Sequence, residues 1–109
     1  MEEISMLVAK VRNAQRVYET WSQEQVDIAV AAAGWAIMEP ARNRELAELS
    51  VADTGIGDVE DKFRKNYRKT LGLLRDLAGA KSVGVIAENP ALGLIEIARP
   101  VGVVCAITP

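Results

Sequence analysis

One thiol, no imidazole and a dense run of cations are what this 109-residue sequence offers to chemistry. The thiol is Cys105. It stands between Val104 and Ala106, with no histidine anywhere in the chain to take its proton. A reactive cysteine needs access and a lowered pKa, which usually come from a neighbouring base or cation. Neither is in sight along the sequence, so a buried structural thiol is expected here. Without histidine there is no Ser-His or Cys-His pair and the commonest zinc ligand is missing, so no metal site is expected. Gly55-Ile56-Gly57 invites a phosphate-loop reading, but a dinucleotide fingerprint needs a third glycine between a strand and a helix. Glu60 stands where that glycine would be, and the preceding segment reads as helical, so a helix-to-helix turn is expected. The cations are Lys62, Arg64, Lys65, Arg68, Lys69 and Arg75. They suit an acidic partner or a phosphorylated ligand. They equally suit a solvated helix face, with Glu60–Arg64 and Asp61–Lys65 as internal pairs four residues apart.

Elements to carry these residues can be read from apolar spacing. Ile4, Leu7, Val8, Val11, Ala14 and Val17 recur at three- and four-residue steps, which predicts a helix over 2–19 with one apolar face. Thr20-Trp21-Ser22 breaks it. Ser22 with Gln25 fits a capping box for a second helix reaching Met38, with Val26, Ala29, Val30, Ala33 and Ile37 inward. Pro40 suits the first turn of a third helix, whose apolar side is Leu46, Leu49 and Val51 and which Gly55 and Gly57 end. Asp58 caps a fourth, with Glu60 and Asp61 at its positive end, and Gly79 closes it. Beyond it the pattern turns β-prone. Residues 83–87 and 92–98 read as a hairpin across Glu88-Asn89-Pro90. The alternation of Leu94, Glu96 and Ala98 with Ile95 and Ile97 suits a strand with one wet face. Residues 101–108 read as a further strand, apolar throughout from Val103 to Ile107 as in a parallel sheet covered on both sides. Such a strand needs neighbours that the sequence does not supply, so an incomplete α/β unit is expected.

Composition sets the outer limits. Half the residues are hydrophobic, and 13 basic against 15 acidic side chains leave a net charge of −2. Mean hydropathy is +0.07. This is ordinary globular composition for one small domain. No basic stripe of the kind nucleic acids require runs along the chain. No apolar run approaches the roughly 20 residues of a membrane span. The N-terminus lacks the basic and apolar regions of a signal peptide, and a lone cysteine forms no internal disulfide, so a cytoplasmic setting is expected.

Two stretches carry a family likeness. Asp53-Thr54-Gly55-Ile56-Gly57-Asp58-Val59-Glu60-Asp61-Lys62, followed by Lys65-Asn66, is similar to the CoA-acylating branch of the aldehyde dehydrogenase superfamily. That branch includes the aldehyde-oxidising half of bifunctional aldehyde-alcohol dehydrogenases. The segment from Ile97 to Pro109, with Arg99-Pro100-Val101-Gly102 near its start, resembles the superfamily's lead into its cofactor domain. The resemblance extends over essentially the whole chain as an N-terminal fragment. It implies an α/β fold with an N-terminal helical layer, a β-hairpin, and the first strand of a Rossmann-like cofactor domain. It implies a parent oxidoreductase that turns a small aldehyde into its acyl-CoA, with NAD or NADP as cofactor and coenzyme A as co-substrate. Acetaldehyde-like substrates come first. A sulfonated two-carbon aldehyde is a further candidate that no residue decides. The family's nucleophilic cysteine and oxyanion-holding asparagine match nothing in this chain, so no catalytic residue is assigned and the fragment alone is expected to be inactive. Ile107, Thr108 and Pro109 match the strand end that lines the nicotinamide-ribose site. Residues 82–99 match a hairpin that joins an oligomerisation sheet, which implies a homo-oligomer; an ordinary hairpin packed on its own helices is the alternative there. A hydrolytic aldehyde dehydrogenase and a non-enzymatic helical interaction module are the rival readings.

Overall fold

A computed structural model describes residues 2–107. Among them lie four helices, α1 (Glu2–Tyr18), α2 (Gln23–Met38), α3 (Pro40–Thr54) and α4 (Val59–Leu77), then strands β1 (Gly84–Asn89) and β2 (Leu94–Ala98). The chain is thus a mixture of helices and strands, in the order the sequence predicts. Two compact units divide it: residues up to Val26 with those from Lys81 on, and Asp27–Ala80.

The expected punctuation is present. Ser22 and Gln25 form the reciprocal box, Ser22 N donating to Gln25 Oε1 (2.9 Å) and Gln25 N to Ser22 Oγ (3.3 Å). Asp58 Oδ1 accepts from the amides of Glu60 (2.8 Å) and Asp61 (3.1 Å) at the head of α4. Glu39 is a cap that spacing did not reveal: its carboxylate accepts from Ala41 N (3.1 Å) and Arg42 N (2.9 Å) just ahead of Pro40. Those two amides, Arg42 first, hold the Glu39 carboxyl below the usual carboxylate range. α3 ends on Gly55 in the left-handed region (φ 65°), which costs glycine little.

The core of the Asp27–Ala80 unit departs from the aliphatic stripe expected. On α2 the buried residues are Gly34 and Met38; Val26, Ala29 and Val30 are half-buried, and Ala33 and Ile37 are exposed. On α3 the buried pair is Asn43 and Ala47, while Leu46 and Leu49 are exposed. Of these four, Gly34 and Ala47 are small and Asn43 is polar, and the small pair lets backbones approach. A Cβ on Gly34 would stand 2.5 Å from Leu74 Cδ1, so α4 comes too close there for any larger residue without a shift. Asn43 Nδ2 donates to the Phe63 carbonyl (3.0 Å), tying α3 to α4.

In the other unit, β1 and β2 pair antiparallel from Gly84↔Ala98 to Asn89↔Leu94, with an irregularity between Val85 and Ala87. The turn closes through Leu92 N to Asn89 O (3.2 Å) and Gly93 N to Pro90 O (3.3 Å). The expected wet and dry faces do not separate: of β2 only Ala98 is half-buried, and Leu94, Ile95 and Ile97 are all exposed. The apolar face of α1 is formed but uncovered, with Ile4, Leu7 and Val11 exposed.

The largest departure follows β2. Residues 99–107 carry no strand, and Val101, Val104 and Ile107 are exposed. A strand is held by ladder hydrogen bonds to a neighbour. Among the described residues the only sheet is β1-β2, and nothing pairs with this segment. For the same reason Cys105 is exposed rather than buried.

Candidate functional site

The outward face of α4 concentrates the chain's charge, and contacts with α3 determine which side chains it presents. Glu60 is held by Arg44 of α3, whose guanidinium also lies 4.4 Å from the centre of the Phe63 ring. This hydrogen bond lowers the Glu60 carboxyl below its ordinary value and raises the Arg44 guanidinium above its own. Lys62 Nζ donates to Ser50 Oγ (2.7 Å). Positions 60, 62 and 63 are therefore spent on α3, and residues 64, 65, 68 and 69 turn outward.

The two internal pairs expected along α4 do not form as spaced. Glu60 prefers Arg44, sixteen residues away, over Arg64. Asp61 meets Arg64 at 3.7 Å instead of Lys65. Both members of that pair are well exposed, and pairs of this kind contribute about 0–1 kcal/mol. Lys65, Arg68 and Lys69 have no hydrogen bond or ion pair among the described residues. With Asp61 and Arg64 they line an open depression of about 520 Å³. Like charges stand three and four residues apart along it: Arg64 with Arg68, Lys65 with Lys69, Lys65 with Arg68. Each such pair opposes helix formation by about 0.2–0.5 kcal/mol. An anion seated among them relieves that repulsion.

The remaining sequence-derived candidates disperse. Ile107 is 94% exposed and stands against no sheet. Thr108 and Pro109 lie outside the described residues. Gly55-Ile56-Gly57 joins α3 to α4, with Ile56 N donating to Thr54 Oγ1 (3.2 Å), as a helix-to-helix turn should. Among the described residues no three cysteine, aspartate or glutamate side chains gather as metal ligands, and no helix is long and apolar enough to cross a membrane.

Sequence reasoning missed a groove of about 470 Å³ in the unit that holds the hairpin. Gln23, at the head of α2, holds its rim: its Oε1 accepts from Ser82 N (2.7 Å) and Val83 N (3.0 Å). Tyr18 and Trp21, which meet edge to face at 5.1 Å, line the groove together with Ile97 and Pro100. Trp21 in the break after α1 was the only sequence signal for it. The titratable groups on its walls are Tyr18, Glu19 and Arg99, with no nucleophile beside a base.

No family model matches the chain. Among curated proteins it is 66% identical over 108 residues to the sulfoacetaldehyde dehydrogenase (acylating) of Cupriavidus necator, covering 99% of this chain and 22% of that protein. It is 42% identical over 109 residues to the enzyme of the same name from Bilophila wadsworthia, 100% of this chain and 24% of that protein. It is 38% identical over 106 residues to the succinate-semialdehyde dehydrogenase (acetylating) of Clostridium kluyveri, 97% of this chain and 23% of that protein. The chain thus spans about a quarter of the length of the curated relatives it matches, and the part it matches is their N-terminal region.

Proposed function

We infer that this chain, which corresponds along its length to the N-terminal region of acylating aldehyde dehydrogenases, serves as that region of an enzyme converting a small aldehyde into its acyl-CoA. The observation that carries the reading is the 66% identity over 108 residues to an acylating sulfoacetaldehyde dehydrogenase. A sulfonated two-carbon aldehyde is accordingly the first substrate to try, ahead of acetaldehyde. The balanced reaction takes aldehyde, coenzyme A thiol and NAD(P)+ to acyl-CoA, NAD(P)H and a proton. A cytoplasmic homo-oligomer is the setting this reading implies, with hairpin 82–99 as its oligomerisation element. The exposed Val85, Leu94, Ile95 and Ile97 support that role, because a two-stranded sheet has unpaired edges and little stability alone.

The nicotinamide cofactor would accept hydride from the aldehyde carbon. The described residues do not by themselves fit it: the glycine turn joins two helices, and Ile107 has no sheet to line. Toward that cofactor, what this chain supplies is scaffold. α3 and α4 lock through Asn43, Arg44 and Lys62, and residues 99–107 read as the lead into a Rossmann-like cofactor domain. The nucleophile and most of the nucleotide site belong to sequence this chain does not contain.

The test is reduction of NAD+ and NADP+ by the full-length protein bearing this sequence, with aldehyde and coenzyme A each left out in turn. Reduction that requires both supports the reading. Reduction that proceeds at the same rate without coenzyme A points to a hydrolytic dehydrogenase, and none with any small aldehyde removes the enzyme reading. The 109-residue chain alone is expected to show no activity.

A further inference from the structure

We propose that the outward face of α4, Lys65 and Lys69 flanked by Arg64 and Arg68, receives the sulfonate of the aldehyde substrate and selects anionic over uncharged aldehydes. This rests on the acylating-dehydrogenase reading above and adds the residues that sort its substrates.

The chemistry asks for such a surface. Acetaldehyde and its sulfonated counterpart present the same carbonyl to a nucleophile. They differ in a sulfonate, which stays ionised across the working pH range and offers three acceptor oxygens. An enzyme that prefers the sulfonated aldehyde needs fixed cations whose charge is not already spent. The Asp27–Ala80 unit holds eight basic side chains. Five are engaged: Arg42 with Glu39, Arg44 with Glu60, Arg64 with Asp61, Arg75 with Asp76, and Lys62 with Ser50. The three that are not, Lys65, Arg68 and Lys69, all line one depression. Lys65 and Lys69 stand one turn apart, so their ammonium groups can close on one anion from two sides. The placement is also against the trend of the chain. α4 has six basic and three acidic side chains, leaving seven basic against twelve acidic elsewhere. In an acidic chain, a local excess of unpaired cations draws anions to that face.

The experiment uses the full-length protein bearing this sequence, with kcat/KM measured for sulfoacetaldehyde and for acetaldehyde in the same preparation. The ratio of the two is the readout, so a folding defect cancels. Lys65→Gln with Lys69→Gln should lower the ratio roughly 10- to 100-fold, mainly through the KM for sulfoacetaldehyde. Lys69→Arg should keep most of it, and Arg75→Gln, on the same helix but outside the depression, should leave it in place. A ratio within twofold of the parent's in the double variant overturns the proposal. So does a raised KM for coenzyme A with the ratio held, which would assign the face to the phosphates of coenzyme A. A parent protein inactive on every aldehyde with coenzyme A would instead remove the enzyme reading itself, a result distinct from either.

Discussion

Two carboxylates, the half-buried Glu39 and the exposed Glu60, are the residues whose charge the fold uses most plainly. Amides of Arg42 and Ala41 lower the first and the Arg44 guanidinium lowers the second. A carboxyl lowered on folding stabilises the folded state above its unfolded pKa, and that contribution fades as pH falls through the lowered value. The melting temperature of the chain should therefore drop on acidification from neutrality through and below the ordinary carboxylate range. Glu39→Gln with Glu60→Gln should flatten that acid limb; an unchanged slope would show that these contacts carry no linkage. Asn43 works differently. It is fully buried, its amide donates to Phe63 O, and its own carbonyl oxygen has no partner. Asn43→Ala should cost about 1–3 kcal/mol in urea unfolding. Asn43→Asp should cost more at pH 7 than at pH 4, because only the protonated acid keeps a donor for the Phe63 carbonyl.

At the scale of elements, two glycines on facing helices make opposite predictions. Gly34 has Leu74 against it, whereas a Cβ on Gly72 would meet nothing within 4 Å. Gly34→Val should therefore destabilise the fold by about 1–3 kcal/mol through overpacking. Gly72→Ala should stabilise it by about 0.5–1 kcal/mol, since glycine in a helix interior costs entropy. Chemical denaturation of both variants checks the pair. The same glycine explains where sequence reading failed. Helix caps were legible because they depend on residues two or three apart: Ser22 with Gln25, Asp58 with Glu60 and Asp61. The hairpin was legible as such, but its turn closes at Asn89–Gly93, beyond the expected Glu88-Asn89-Pro90, because Glu88 and Asn89 still pair in β1. The buried stripe of α2 was not, because apolar periodicity gives no weight to Gly34 and settled on Ala33 and Ile37. On α3 it chose Leu46 and Leu49 over Asn43 and Ala47 for the same reason. The cationic face of α4 was visible as a list of residues. Which of them are engaged was not, since Arg44 reaches Glu60 from another helix and leaves Asp61 to Arg64. Residues 101–108 had the composition of a covered strand, but composition cannot supply the neighbouring strand that would hold them.

Taken whole, the chain leaves three separate apolar stretches in water: Ile4, Leu7 and Val11 on α1; Leu94, Ile95 and Ile97 on β2; and Val101, Val104 and Ile107 beyond it. Large exposed apolar patches mark surfaces that other protein covers. The 109-residue chain by itself should accordingly self-associate as its concentration rises in sedimentation velocity; a monomer at every concentration would show these stretches to be innocuous. A scaffold that presents such surfaces together with a free cationic face suits a role inside a larger enzyme acting on a charged aldehyde. The proposed enzyme ends its reaction on coenzyme A. The most direct measurement is mass spectrometry of the product formed by the full-length protein from sulfoacetaldehyde, NAD(P)+ and coenzyme A. Sulfoacetyl-CoA is expected in amounts matching the reduced nicotinamide; free sulfoacetate as the enzymatic product, with coenzyme A unconsumed, would rule out transfer to coenzyme A.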